Sequence, residues 1–254
     1  MLLEVKNLSI KYKNLEVIKD LSFKAEKGEC LALLGHNGSG KTSIALAILN
    51  LLNTPYSGSI IFDGKLINNE KTARELREKD IRIILQEVEL NPSVKVGKQI
   101  LDSHKGLTKQ DVYKLLEKVQ LEKDVYNKMS HELSGGMRQR VNIAIAIAPK
   151  PKLIIADEAC SNLDKQNEEN IMALLKEIKK ETSLLFISHS IEEIKTIADK
   201  VLVLKEGKQV EFGPVSLLEN PKNEYTKKLV EYREAVKDKN KLSLLLKDLY
   251  DTEC

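Results

Sequence analysis

The spacing of hydrophobic positions changes several times along this chain, and each change predicts an element. Leu3-Glu4-Val5-Lys6, Leu8-Ser9-Ile10-Lys11-Tyr12 and Val17 to Phe23 alternate well enough to predict strands near the start. Cys30-Leu31-Ala32-Leu33-Leu34 is almost wholly apolar, as expected of a buried parallel strand. Ser43 to Leu52, rich in Ala, Leu and Ile, reads as a helix. Pro55 and Gly58 punctuate, and Ser59 to Gly64 predicts another strand and turn. From about Glu87 to Lys150 the chain is mostly helical, with Val112, Leu115, Leu116 and Val119 at helical spacing. Leu153 to Asp157 and Leu184 to Ser188 return to buried strands. Between them Ile171, Leu174, Leu175 and Ile178 mark an amphipathic helix, and Ile191 to Ala198 predicts another. Val201 to Leu204 and Gln209 to Phe212, joined through Glu206-Gly207, predict a closing hairpin. Beyond Pro221 the chain is charged and helical, with Tyr225, Leu229 and Tyr232 on one side and an amphipathic piece over Leu242 to Leu249. Strands alternating with helices predict an α/β fold whose mainly parallel sheet is covered on both faces.

Composition narrows the class. A chain of 254 residues suits one large domain, or one domain with an inserted subdomain. A hydrophobic share of 42% and a charged share of 31% suit a soluble globular protein. The net charge of +3 gives no support to a nucleic-acid partner, whose footprint would be a strongly basic stripe. No apolar run approaches the ~18 residues of a membrane span. The start, Met1 to Lys6, shows no signal-peptide pattern. Cys30, Cys160 and Cys254 are widely spaced and lack a C-x-x-C pair, so they read as thiols in a reducing cytosol and not as a disulfide framework or zinc site.

Candidate chemistry concentrates in a few short segments. Gly35-His36-Asn37-Gly38-Ser39-Gly40-Lys41-Thr42 fits the P-loop pattern G-x-x-x-x-G-K-[ST], with Ser43 opening the helix behind it. Its glycines let backbone N–H groups wrap phosphate oxygens beside a helix N-terminus. Lys41 supplies a point charge at the β- and γ-phosphates, and Thr42 offers a hydroxyl to Mg²⁺. His36 reads as a solvent-facing side chain. Asp157 ends an apolar strand, where its carboxylate can hold Mg²⁺ directly or through water. Downstream of the P-loop stands Leu133-Ser134-Gly135-Gly136-Met137-Arg138-Gln139-Arg140.

The P-loop and this octet together resemble the ATP-binding cassette (ABC) superfamily. There, two ATPase subunits sandwich ATP between one subunit's P-loop and the other's L-S-G-G segment. The resemblance covers about residues 3–213 and implies a P-loop ABC ATPase fold: a mainly parallel core sheet, an N-terminal antiparallel β-subdomain, an inserted helical subdomain at about 87–150 and a helical tail. The cassette is expected over 1–225 and the tail over 226–254. Glu158 resembles the catalytic glutamate that orients and polarises the attacking water. His189 resembles the switch histidine at the γ-phosphate, and Gln86 the glutamine that senses Mg²⁺ and water. Tyr12 sits where the family stacks adenine on an aromatic ring, although an ordinary strand tyrosine is the alternative. Leu133, Ser134, Gly135, Gly136, Met137 and Gln139 are implied to face a neighbour's ATP. Ser161-Asn162-Leu163-Asp164 looks like the D-loop. His36, Asn162 and the pair Ala159-Cys160, which stands where Pro-Thr is usual, depart from the family pattern.

Within the family, His131 to Val141 and Leu90 to Ile100 look like the importer ATPases for dipeptides, oligopeptides and nickel. So do Leu153 to Glu158 and Asn220-Pro221 followed by Tyr225-Thr226. The chain ends at Cys254 without the cysteine-rich extension of the longer peptide importers, which leans toward the shorter nickel or metal-complex members. The resemblance implies a second ATPase subunit, two membrane permease subunits and, indirectly, an extracellular solute-binding protein, at the cytoplasmic face of the membrane. An exporter subunit is the nearer alternative and a soluble, non-transport ABC ATPase the remoter one.

Overall fold

The structure is a computed structural model that describes residues 1–86 and 89–235, the side chains of 233–235 excepted. The amphipathic piece expected over Leu242 to Leu249, and Cys254, lie outside the described residues.

Two sheets organise the chain. The first is antiparallel, in the order β2-β1-β4-β5, and comprises β1 (Leu3–Tyr12), β2 (Leu15–Ala25), β4 (Tyr56–Phe62) and β5 (Lys65–Leu66). Between β2 and β4 run β3 (Cys30–Gly35) and helix α1 (Lys41–Ile48). The two short strands expected within residues 3–12 form one strand. Its register shifts between Val5 and Leu8, around Asn7 at φ 49°, so the alternation breaks without ending the ladder. Helix α1 starts at Lys41, two residues before the apolar pattern begins, because the glycine loop and not the hydrophobic stripe sets its N-terminus.

Next come α2 (Glu70–Lys79) and β6 (Ile81–Ile84), and then the expected helical segment. That segment holds α3 (Val96–Asp102), α4 (Lys109–Lys118) and α5 (Gly135–Ile147). Helix α2 has no counterpart in the sequence reading. Only Ala73 and Leu76 of its ten residues are buried, so it carries no apolar stripe. The chain closes with β7 (Leu153–Asp157), α6 (Lys165–Lys179), β8 (Ser183–Ile187), α7 (Ile191–Ile197), β9 (Lys200–Lys205), β10 (Lys208–Pro214) and α8 (Glu224–Ala235). The turn between β9 and β10 takes Glu206 and Gly207 at φ 48° and 78°, as a two-residue hairpin turn requires.

The second sheet has the order β10-β9-β3-β8-β7-β6, parallel throughout except for β10 at the edge. Its side chains alternate between two cores, as the pleat dictates. Leu31, Leu33, Ile155, Leu185 and Leu202 pack with α1, α2 and the antiparallel sheet. Ala32, Leu34, Ile154, Ala156, Phe186 and Val203 pack with α3 to α8. Burial on both faces explains why these strands read as continuous apolar runs. Helix α8 straddles residue 225, the expected end of the cassette. Its buried face is Thr226, Leu229 and Val230, whereas Tyr232 is exposed, contrary to the side expected from Tyr225, Leu229 and Tyr232. The buried arc is centred on Thr226, and Tyr232 lies beyond its Tyr225 edge.

Candidate functional site

Sheet register gathers the candidate residues. Ala156 pairs with Ile84, Asp157 with Ile187, and Cys30 to Leu33 with Leu184 to Ile187. The loops after β3, β6, β7 and β8 therefore leave the carboxyl edge of the sheet side by side, where open α/β sheets bind ligands. An open cleft of about 1850 Å³ lies there, and Lys41, Thr42, Gln86, Asp157, Glu158 and His189 all line it. Asn37, Gly38, Gly40, Ser43, Ser161, Asn162 and Leu163 complete the expected residues on its wall.

The P-loop is shaped by close approach. A Cβ on Gly35 would meet the Leu204 carbonyl oxygen at 2.5 Å and the Ser39 hydroxyl at 2.6 Å. Gly40 has φ 99°, and a Cβ there would fall 2.3 Å from Ile18 Cδ1. Lys41 is buried, and its Nζ donates to the carbonyls of Gly35 at 3.0 Å and His36 at 3.1 Å. The Ser39 N–H donates to the His36 carbonyl at 3.1 Å. Burial raises the Asp157 carboxyl above the usual carboxylate range, opposed by a hydrogen bond from Thr42, reinforced by the charge of Glu158 and opposed by that of Lys41.

Glu158 stands at φ 50°, a left-handed conformation that a non-glycine residue pays to adopt. Its N–H donates to the Ile187 carbonyl at 2.9 Å, which pins the turn to β8. Its Oε2 lies 3.0 Å from His189 Nδ1. The Ser161 hydroxyl donates to the Glu158 carbonyl at 2.7 Å and ties the expected D-loop to the same residue. A carboxylate held this way, with a histidine against one oxygen, can accept a proton from water aimed at a terminal phosphate.

Sequence reasoning missed a second layer. The Ser188 hydroxyl donates to Glu193 Oε2 at 2.7 Å and accepts from the Ser190 N–H at 2.9 Å. Ser190 caps α7, its hydroxyl accepting from the Glu193 N–H at 3.3 Å. This closed set brackets His189 on both sides. Burial raises the Glu193 carboxyl, and the Ser188 hydrogen bond opposes that shift. The signal was present as Ser190 followed three residues later by Glu193, a capping-box spacing.

The L-S-G-G segment lies elsewhere. Ser134 caps α5, its hydroxyl accepting from the Met137 N–H at 3.3 Å. Ser134 and Gly135 are exposed, and none of Leu133 to Met137 lines the cleft. Two residues expected at a neighbour's nucleotide turn inward instead. Leu133 is in the helical core. Gln139 is buried and donates to the Ala159 carbonyl at 2.6 Å, bracing α5 against the segment after Glu158. Gly136 has no room for a Cβ, since Asn167 Oδ1 would be 2.4 Å away. Asn167 in turn donates through its backbone N–H to Asp164 Oδ1 at 3.0 Å, so the signature helix and the expected D-loop share a partner. Tyr12 is half-buried against the antiparallel core and does not line the cleft, whose wall at that end is Leu15 and Val17. His36 and Gly35 also lie off the lining, as does Ser39.

The residues present fit a magnesium nucleotide. Asn37, Gly38, Gly40, Lys41 and Thr42 of the P-loop line the cleft. The oxygen donors at the sheet edge, Thr42 and Asp157, are hard ligands of the kind Mg²⁺ selects. Together with the loop amides and Lys41 they would hold the phosphates, whose charge such an ion neutralises when bound. Cys160 lines the cleft, and burial pushes its thiol well up from the ordinary value, which keeps it uncharged.

Comparison with known proteins agrees with this geometry. The family model "ABC transporter" matches residues 18–161. The oligopeptide transport ATP-binding protein OppD of Bacillus subtilis (strain 168) is 40% identical over 250 residues, 89% of this chain and 70% of that protein. The metal-staphylopine import system ATP-binding protein CntD of Staphylococcus aureus (strain Mu50 / ATCC 700699) is 36% identical, covering 93% of this chain and 95% of its own length. Among solved structures, the dimeric post-hydrolysis state of the ATP-binding cassette MJ0796 bound to ADP and Pi superposes with a TM-score of 0.75 at 23% identity, over 84% of this chain and 98% of that one.

Proposed function

This chain belongs to the ABC transporter family and is an ATP-hydrolysing cassette, and from that premise we propose how its cleft works and what it drives. Lys41 and the P-loop amides hold the β- and γ-phosphates, and Thr42, Asp157 and Gln86 hold Mg²⁺. Glu158 takes the proton of the attacking water. His189, braced by Ser188, Ser190 and Glu193, keeps the Glu158 carboxylate aimed. The observation that carries this reading is the 3.0 Å contact between Glu158 and His189 beside Lys41 and Asp157 in one cleft.

The exposed Ser134 and Gly135 at the start of α5 complete a second cassette's site, and that cassette's equivalent segment completes this one. Adenine stacks near Tyr12, or against Leu15 and Val17. The motor serves an importer for small peptides or for nickel or another metal complex. One relative is named for oligopeptide transport and another for metal-staphylopine import, and the second name favours an importer over an exporter. The CntD relative, named for metal-staphylopine import, supports a metal-complex cargo beside a peptide one. The working assembly has two ATPase subunits and two permeases at the cytoplasmic membrane face, fed by an extracellular solute-binding protein. No helix among the described residues is long and apolar enough to cross a membrane.

Titration with a fluorescent ATP analogue tests the cleft. Lys41→Ala is expected to weaken ATP binding and abolish hydrolysis while the fold survives. Unchanged affinity with normal turnover would rule out the P-loop role.

A further inference from the structure

The last described helix reaches the phosphate loop. The rings of His36 and Tyr225 are 5.6 Å apart with their planes at 65°, an edge-to-face pair. Lys205 Nζ lies 5.2 Å from the centre of the Tyr225 ring. Lys205 ends β9, the strand whose Leu204 pairs with Gly35 at the start of the P-loop. Tyr225 is therefore seated between the loop and the strand beside it.

The seat is firm on the helix side. The Tyr225 N–H donates to Asn223 Oδ1 at 2.9 Å. The amides of Lys222 and Asn223 donate to the Glu211 carboxylate of β10 at 2.9 and 3.4 Å. Thr226, Leu229 and Val230 are buried. On the loop side, His36 is the hub. Its carbonyl accepts both the Ser39 N–H and Lys41 Nζ, each at 3.1 Å. A contact that fixes the His36 ring also fixes the carbonyl on which the loop's turn and its lysine depend.

We propose that Tyr225 is a positioning residue for ATP, holding His36 so that the P-loop and Lys41 are set for the phosphates before nucleotide arrives. The proposal rests on the P-loop reading above. A loop held ready gives up less freedom on binding, so its affinity is higher. Docking of α8 and ATP affinity are thereby coupled.

The test uses the full chain and equilibrium titration with a fluorescent ATP analogue, with turnover measured at varied ATP. Tyr225→Ala is expected to raise Kd and KM by about two- to tenfold, the range an edge-to-face ring pair carries, with kcat little changed. Tyr225→Phe keeps the ring pair and is expected to bind ATP more tightly than Tyr225→Ala. His36→Ala, at an exposed position outside the core, is expected to reproduce the loss even if Tyr225→Ala disturbs folding. The double variant should lose no more than either single one. Parent-like affinity in His36→Ala, or single effects that add in the double variant, would overturn the clamp. Lys41→Ala separates the two readings: if it abolishes binding while both clamp variants bind normally, the P-loop reading stands and the clamp falls. If Lys41→Ala binds normally, the P-loop reading itself falls.

Discussion

At the residue scale, Glu158 carries the most specific expectation. Glu158→Gln keeps the side chain's size and removes its charge. ATP binding is expected to persist while turnover falls by ~10²–10⁴-fold, the usual contribution of a positioned base. Turnover within a few-fold of the parent in single-turnover assays would exclude the role. Asp157 makes a stability prediction. Its carboxyl is raised in the folded chain, chiefly by burial. A raised carboxyl favours unfolding wherever it must be charged, so the penalty is full at neutral pH and fades as pH falls through the folded value toward the ordinary one. Asp157→Asn is expected to raise the melting temperature at pH 7, by about 2–4 °C for each kcal/mol relieved. The gain should shrink as pH is lowered into the ordinary carboxylate range. A lower melting temperature at pH 7 would contradict this. That Asp157, Glu158 and His189 share one edge was legible because each stands at or just past the end of an apolar strand and parallel register brings strand ends together, whereas the roles given to Glu158 and His189 came from the family resemblance. Gln139 and Glu193 were not assigned their roles, because a buried amide or carboxyl shows its partner only in three dimensions.

At the element scale, glycine and capping residues decided what hydrophobic pattern could not. Most strands were legible because burial on both faces leaves unbroken apolar runs. Helix α2 was not, since only Ala73 and Leu76 of its ten residues are buried and its polar contacts show no period in the sequence. Asn69 caps it by accepting from the Thr72 N–H, and Arg77 reaches back to Glu70 and to the Leu49 carbonyl. Helix α5 is the element that joins the two halves of the chemistry. Its exposed N-cap is Ser134, and within the helix Gln139 braces the segment after Glu158. Gln139→Ala would leave the Ala159 carbonyl short of its donor. We expect a loss of about 1–3 kcal/mol in denaturant unfolding, the usual cost of stranding a buried polar group. Gln139→Ala unfolding at the parent's midpoint would show that the bond carries no weight.

At the scale of the whole molecule, the cleft is built from one chain, yet that chain's own L-S-G-G segment takes no part in its lining. Lys41, Thr42 and Asp157 line one wall, and the chain's own Ser134 and Gly135 stay off it. Charge develops on several oxygens of a terminal phosphate in the transition state, and donors aimed at it by a second cassette would stabilise it further. Slow hydrolysis by the isolated chain is therefore expected, rising when a second cassette and the permeases assemble around it. The measurement that tests this most directly is Ser134→Arg, read as ATP affinity of the isolated chain beside the ATPase rate of the reconstituted complex. Near-parent affinity with abolished assembled turnover is the predicted result. A Ser134→Arg complex that hydrolyses at the parent rate, with the isolated chain already at full rate, would contradict the shared site.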